Sequence, residues 1–374
     1  MICSICGNED PKYFAYNKKH ELYCRRCISF MGKSAEVNNN ITSAPLHLDY
    51  ELSSEQKKIS TKIKNAILKH KNVFLYAVTG AGKTELVYAS VEAMLKKHLQ
   101  VGFVVPRKDV VIDLLPRFQE AFRSAKVRAV YGNHHSDLTG DILLLTTHQL
   151  YRYKNYFDLL IFDEIDAFPY TGNDMLTHFF YKAVRGNYIL MSATPKQEMI
   201  DEVVNNKGIY LELTKRYHGH KLPIPDMKIS LLFQKWHLIK VLKTFHVENK
   251  PCFVFCPTIN EAETLYKEIS RYLPNGEVVH SKRKEREEII SDFKKGKYEY
   301  LITTSILERG VTVKNLQVLI YHANNTLFDS STLIQISGRV GRKKDAPDGK
   351  VIYFADSISK AMEESIRKIR EANA

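Results

Sequence analysis

KNVFLYAVTGAGKTELVYASVEAML, residues 71–95, passes from an apolar, β-rich run through a glycine-bearing turn into an amphipathic segment. Strand, loop and helix in that order are what a phosphate-binding loop requires, because backbone N–H groups and a helix N-terminus then face the anion. The loop AVTGAGKT (77–84) departs from the pattern G-x-x-x-x-G-K-[ST] only at its first residue, Ala77. That first glycine mainly serves the turn, whereas Gly80 and Gly82 let the backbone approach a phosphate closely. With Thr79, Gly80, Ala81 and Gly82 forming the cradle, Lys83 can reach the β and γ phosphates of ATP and Thr84 can ligate Mg²⁺. Taken alone, Lys83 reads equally well as a surface lysine.

The second half of a nucleotide site is an acidic pair at the end of an apolar strand. DLLIFDEID (158–166) supplies it, some 80 residues after the loop. Asp163 is expected to hold the magnesium, and Glu164 to orient and deprotonate the attacking water. In isolation, acidic residues after a strand are more often a solvated loop; paired with the phosphate loop they complete an NTP site.

The chain of 374 residues has room for two or three domains. Fifty-five Lys and Arg against 42 Asp and Glu give a net charge of +13, which favours a polyanionic partner such as nucleic acid. No apolar run is long enough to span a membrane, and MICSICGNEDPK (1–12) has no secretory signal character. Six cysteines in a chain of this size do not make a disulfide scaffold, and a reducing, cytoplasmic setting is expected.

From about residue 51, short β-rich runs (VFLYAV, VGFVV, DILLLTT, DLLIFDE, YILMSAT) alternate with amphipathic segments. After the polar stretch TKRYHGHKLPIPDMK (214–228) the alternation resumes with PCFVFCPT, GEVVHS, YEYLITTS, LQVLIYHA and KVIYFAD. Such alternation predicts α/β domains with parallel sheets covered on both faces. The expected organisation is a cysteine module at 1–30, a linker at 31–50, an ATP-binding domain at 51–213, an interdomain linker at 214–230 and a second domain at 231–374. The charged run SKRKEREEIISDFKKGK (281–297) carries an apolar stripe of Ile289, Ile290 and Phe293 and reads as a solvated helix face.

Cys3-x2-Cys6, seventeen residues, then Cys24-x2-Cys27 is the spacing of a tetrahedral four-cysteine zinc site. A bound Zn²⁺ replaces the core that a 30-residue segment cannot build. The alternative of two disulfides conflicts with the reducing setting. The aromatic and basic residues of the module could form a nucleic-acid face or merely keep it soluble. Cys252 and Cys256 lie in an apolar strand and are expected in the core.

AVTGAGKT, DEID, SAT (192–194), TTSILERGVTV (303–313) and QISGRVGR (335–342) follow one another as in superfamily-two helicases and translocases, which residues 51–356 resemble. The resemblance implies two tandem RecA-like domains, the second carrying arginine fingers. It gives Gln56 of ELSSEQ the adenine base, and Ser192 and Thr194 the coupling of hydrolysis to domain movement. It sets Gln335, Arg339 and Arg342 facing the nucleotide across a cleft, with the two arginines stabilising charge on the γ phosphate. It also implies a backbone-gripping nucleic-acid track. Pro106, Arg107, Lys108, Thr146 and Thr147 belong to it on the first domain, and Thr258, Thr303, Thr304, Ser305 and Arg309 on the second, with His280 and Ser281 of less weight. Any single threonine at a strand end is otherwise a cap or turn.

The module ahead of the motor, together with DEIDAFPY (163–170) and RYHGHKLPIP (216–225), resembles the ComFA-type late-competence translocases of Gram-positive bacteria. That resemblance implies an ATPase acting in uptake of transforming DNA. The partners it implies are single-stranded DNA, competence proteins such as a ComFC-type protein, and the uptake channel at the inner face of the cell membrane. With the first cysteine at position 3, no longer N-terminal extension is expected. Primosomal restart helicases are related, but carry their cysteines within the second motor domain. A DNA-stimulated motor, a nucleotide-gated adaptor and an RNA helicase are the three functions to separate, and complete acidic and arginine motifs favour the motor.

Overall fold

The computed structural model describes all residues except 31, 39, 135–136, 168–169, 171, 305–312 and 374. The chain forms two compact units, one of Met1–Ala77 and Gly82–Leu213, the other of Val78–Ala81 and Thr214–Ala374.

The first unit begins with a hairpin, β1 (Phe14–Tyr16) against β2 (Leu22–Cys24), whose strands pair antiparallel with Phe14 opposite Cys24. Then follow α1 (Ser54–Leu68), β3 (Val73–Ala77), α2 (Lys83–Leu95), β4 (Val101–Val105), α3 (Lys108–Ala121), β5 (Val127–Val130) and β6 (Ile142–Thr146). β7 (Phe157–Asp163), α4 (Asp174–Ala183), β8 (Val184–Ser192), α5 (Gln197–Asn205) and β9 (Ile209–Leu213) complete it. Its seven strands order as β5-β6-β4-β7-β8-β3-β9, all neighbours parallel. Helices cover both faces, so central strands such as VGFVV and ILLLT are buried along their whole length and read as unbroken apolar runs.

The second unit contains β10 (Asp226–Ile229), α6 (Gln234–Val247), β11 (Cys252–Phe255), α7 (Ile259–Ile269), β12 (Gly276–Val279), α8 (Arg286–Lys294) and β13 (Tyr300–Thr303). β14 (Gln317–Ile320), α9 (Ser330–Ser337), β15 (Val351–Ala355) and α10 (Lys360–Ala372) follow. The strand order is β10-β15-β14-β11-β13-β12, again parallel between neighbours. Both sheets are therefore of the doubly covered, RecA-like kind that the alternation predicts. Cys252 and Cys256 are buried in this core, and desolvation raises both thiols well above the usual cysteine range. The charged run forms α8, with Ile289 and Phe293 inward.

Two stretches read as linkers carry more order than their composition suggests. Segment 31–50 is tied to the first unit: Ala35 N–H donates to the Arg152 carbonyl at 2.9 Å and Thr42 N–H to Asp141 Oδ1 at 3.0 Å. Within 214–230, Asp226–Ile229 forms the edge strand β10. All four of its residues are exposed, so it leaves no apolar signature in the sequence.

Candidate functional site

The phosphate loop explains its own irregular first residue. Ala77 is the last residue of β3 and is fully buried in extended backbone, where no glycine is needed. The left-handed positions come later, at Gly80 (φ +84°) and Gly82 (φ +77°), where a side chain would be strained. Gly82 also caps α2, and a Cβ there would stand 2.6 Å from Gln56 Nε2. Gln56 is thus packed against the loop as α1 begins. Its side-chain oxygen accepts from Ser53 N–H at 2.9 Å while its own N–H donates to Ser53 Oγ at 3.2 Å, a reciprocal capping box. Lys83 opens α2, with Nζ 3.5 Å from the Ala77 carbonyl, and Thr84 follows, largely buried. Thr79 and Ala81 lie in the turn between β3 and α2.

Parallel strand order brings the other elements alongside. β8 lies between β7 and β3, so Asp163 ends β7, Ser192 ends β8 and Ala77 ends β3 at one edge of the sheet. In register, Tyr76 stands opposite Ser192 and Asp163 opposite Met191. The carboxyl ends of parallel strands are where α/β sheets bind ligands. Glu164 adopts φ +60°, uncommon for a residue with a Cβ, and its N–H donates to Asp163 Oδ1 at 2.9 Å. The chain thereby leaves the extended conformation of β7 at Glu164, directly after Asp163.

A third carboxylate, to which sequence reasoning gave no role, joins this edge. Asp166 accepts from Ser192 Oγ at 2.9 Å and from Thr194 Oγ1 at 2.5 Å. The signal for it was the final acid of DEID, but only the adjacency of β7 and β8 shows what it binds.

Candidate nucleic-acid residues fall on adjacent strand ends in each unit. Pro106 and Arg107 follow β4, Thr146 ends β6, and Val105 pairs with Thr146. Thr147 is fully buried, its hydroxyl without a hydrogen-bond partner among the described residues. In the second unit Thr258 follows β11 and Thr303 ends β13, with Phe255 paired to Thr303. Thr258 caps α7: Oγ1 accepts from Glu261 N–H at 3.2 Å and donates to Glu261 Oε2 at 2.7 Å. Thr303 is buried and its hydroxyl donates to the Thr304 carbonyl at 3.2 Å. His280 is buried against Glu263, 3.1 Å away. Arg309 and Ser305 lie outside the described residues.

Gln335 sits in the last turns of α9, and Arg339 and Arg342 in the segment after it. Arg342 Nε donates to the Gly338 carbonyl at 3.0 Å. Arg339 is almost wholly buried.

The four cysteines meet as their spacing predicts. Their sulfurs all lie within 4.8 Å of one another, with Cys3–Cys27 at 3.6 Å and Cys6–Cys24 at 3.8 Å. Tetrahedral zinc with bonds of about 2.3 Å needs sulfurs about 3.8 Å apart, so the donor set fits Zn²⁺. The cysteines share a core with the first unit. Phe30 packs edge-on against Phe179 (5.2 Å between ring centres) and Tyr151 (5.4 Å), and Lys182 Nζ donates to the Ser4 carbonyl at 2.9 Å. Gly7 (φ +69°) lies so close to His178 that a Cβ would come within 2.5 Å of the ring.

Two family models match the chain: type III restriction enzyme, res subunit, over residues 49–197, and helicase conserved C-terminal domain over residues 234–344. The chain is 36% identical to competence protein ComFA of Bacillus subtilis, covering 99% of this chain and 85% of that one. It is 34% identical to competence protein ComFA of Streptococcus pneumoniae, over 100% of this chain and 90% of the relative. Among solved structures it resembles S. cerevisiae Dbp5 bound to RNA and ADP BeF3, with TM-score 0.65, 17% identity, and 86% and 92% of the two chains covered. It also resembles RecG bound to a three-way DNA junction, with TM-score 0.61, 18% identity and coverage of 88% and 47%. At such identities these structures speak for the fold.

Proposed function

Because this chain belongs to the ComFA family of competence proteins, and is a helicase-type, nucleic-acid-dependent ATPase, we propose that it translocates along single-stranded DNA during uptake of transforming DNA. The observation that carries this reading is the shared sheet edge: phosphate loop, Asp163–Glu164 and the Asp166–Ser192–Thr194 cluster end three neighbouring parallel strands.

On this reading Lys83 and the backbone of Thr79–Gly82 bind the triphosphate of ATP, and Gln56 reads the adenine. Thr84 provides a hydroxyl and Asp163 a carboxylate for Mg²⁺. When bound, that ion neutralises charge on the β and γ phosphates. Glu164, held in a left-handed backbone conformation just after Asp163, accepts a proton from the attacking water. Arg339 and Arg342 stabilise charge on the γ phosphate in the transition state, with Gln335 beside them. Residues 51–213 and 231–374 act as the two motor domains, and the gain or loss of arginine contacts drives their displacement.

Pro106, Arg107, Thr146 and Thr304 supply sequence-neutral contacts to the sugar-phosphate backbone, with Thr147, Thr258, Thr303 and Arg309 completing the track. Zn²⁺ on Cys3, Cys6, Cys24 and Cys27 holds the N-terminal module together. A ComFC-type protein and the uptake channel at the inner face of the membrane are the proposed assembly partners. None of the described helices is long and apolar enough to cross a membrane itself. Paired assays test the reading: ATP turnover, and displacement of streptavidin from biotinylated single strands. Turnover without displacement would favour a nucleotide-gated DNA adaptor in place of a motor.

A further inference from the structure

Within the second unit, the residues that follow β9 grip the turn after α9. Arg216 is 3% exposed. Its Nη1 donates to the carbonyls of Val340 and Gly341, both at 2.8 Å, and its Nη2 to that of Gly338 at 3.2 Å. His218 Nε2 donates to the Gly341 carbonyl at 2.9 Å, its other ring nitrogen accepting from His220 N–H at 3.1 Å. The Tyr217 hydroxyl donates to the Arg342 carbonyl at 3.0 Å. Three consecutive side chains thus hold one short backbone segment, the one that carries Arg339 and Arg342.

A guanidinium buried without a carboxylate is expensive, and the partners of Arg216 among the described residues are backbone carbonyls, with Arg342 and Tyr217 the charged or titratable groups beside it. Its charge is met by the carbonyl of Gly338, the C-cap of α9, and by those of Val340 and Gly341 in the turn that follows. Burial, and then the like charge of Arg342, push its pKa down to about 10. The turn is packed hard against it: at Gly341 (φ +67°) a Cβ would come within 3.0 Å of Arg216 Nη1. Three bonds to three carbonyls use the planar fork of arginine, which lysine cannot reproduce.

We propose that Arg216 is a positioning residue for ATP hydrolysis, fixing the backbone of 338–342 so that Arg339 and Arg342 are presented to the γ phosphate in one orientation. The proposal rests on the arginine-finger reading above. Arg216 itself need not touch the nucleotide. It also shares the Gly338 carbonyl with Arg342. When Arg342 leaves that carbonyl for a phosphate, Arg216 keeps the acceptor satisfied, and repulsion between the two cations favours the departure.

The test uses the full chain with Arg216→Met, Arg216→Lys and Arg342→Ala. Steady-state kinetics with single-stranded DNA give kcat and KM, and titrations give the affinities for ADP alone and for ADP with aluminium fluoride, a transition-state mimic. The expected result for Arg216→Met is a kcat lowered by about tenfold or more with KM nearly unchanged. ADP binding is kept, and the mimic is bound at least about tenfold more weakly. Arg216→Lys, which retains the charge but not the fork, shows the same split and covers the case in which the methionine variant does not fold. Equal weakening of ADP and mimic, or unchanged kcat beside an inactive Arg342→Ala, overturns the proposal and leaves the finger reading standing. Full turnover by Arg342→Ala sinks the finger reading, and this proposal with it.

Discussion

Ser192 donates its hydroxyl to Asp166 at 2.9 Å, joining the strand end of the acidic motif to that of the neighbouring strand. Thr194 adds a second bond to the other oxygen of the same carboxylate. The carboxylate therefore bonds to the segment that leaves the neighbouring strand while itself lying in the segment that holds Asp163 and Glu164.

If that link couples hydrolysis to movement, Ser192→Ala combined with Thr194→Ala should separate the two. ATP turnover is expected within several-fold of wild type, while streptavidin displacement from single-stranded DNA is lost. Parallel losses in both assays would make the cluster part of the hydrolytic machinery.

Glu164→Gln removes the proposed general base while keeping shape and the strained turn. A loss in kcat of about 10²–10⁴-fold is expected, with ATP still bound. Lys83→Ala should instead weaken nucleotide binding together with turnover. Fluorescent-nucleotide titration beside the ATPase assay distinguishes them, and undiminished turnover by Glu164→Gln would remove it from the mechanism.

Much of this was legible in the residues themselves. Phosphate loop, acidic pair and arginine segment are each continuous strings whose chemistry depends on local spacing, and the apolar runs mark buried parallel strands. What stayed hidden is non-local. Asp166 finds its partners only because β7 and β8 are neighbours, and Arg216 meets the arginine turn more than 120 residues on. The edge strand β10 is exposed at every position and has no periodicity to read. The cap that Thr258 places on the helix after it is, by contrast, a local feature, set by a threonine standing just ahead of a helical segment.

The four-cysteine cluster predicts one zinc ion per chain. Cys24→Ser should lose most of it, as read by metal analysis of the purified protein, and should lower the melting temperature of the first unit, whose core the cysteines share. A variant with full metal content would mean that the ligand set is wrong.

Gly7 tests how the module is seated. Gly7→Ala meets the ring of His178 and also needs a left-handed backbone. Chemical denaturation should show a loss of about 2–3 kcal/mol, from overpacking together with strain. Adding His178→Ala relieves the clash and leaves about 1 kcal/mol of backbone strain. Additive losses in the double variant would mean that the module does not rest on His178 in solution.

Stimulation of ATP hydrolysis by single-stranded DNA is the property on which the proposed motor rests. It is tested most directly by measuring the steady-state ATPase rate with single-stranded DNA, duplex DNA and RNA in parallel, at matched nucleotide concentration and ionic strength. Strong stimulation by the single strand and little by duplex or RNA is the expected result. A rate indifferent to all three, or one raised chiefly by RNA, would contradict it.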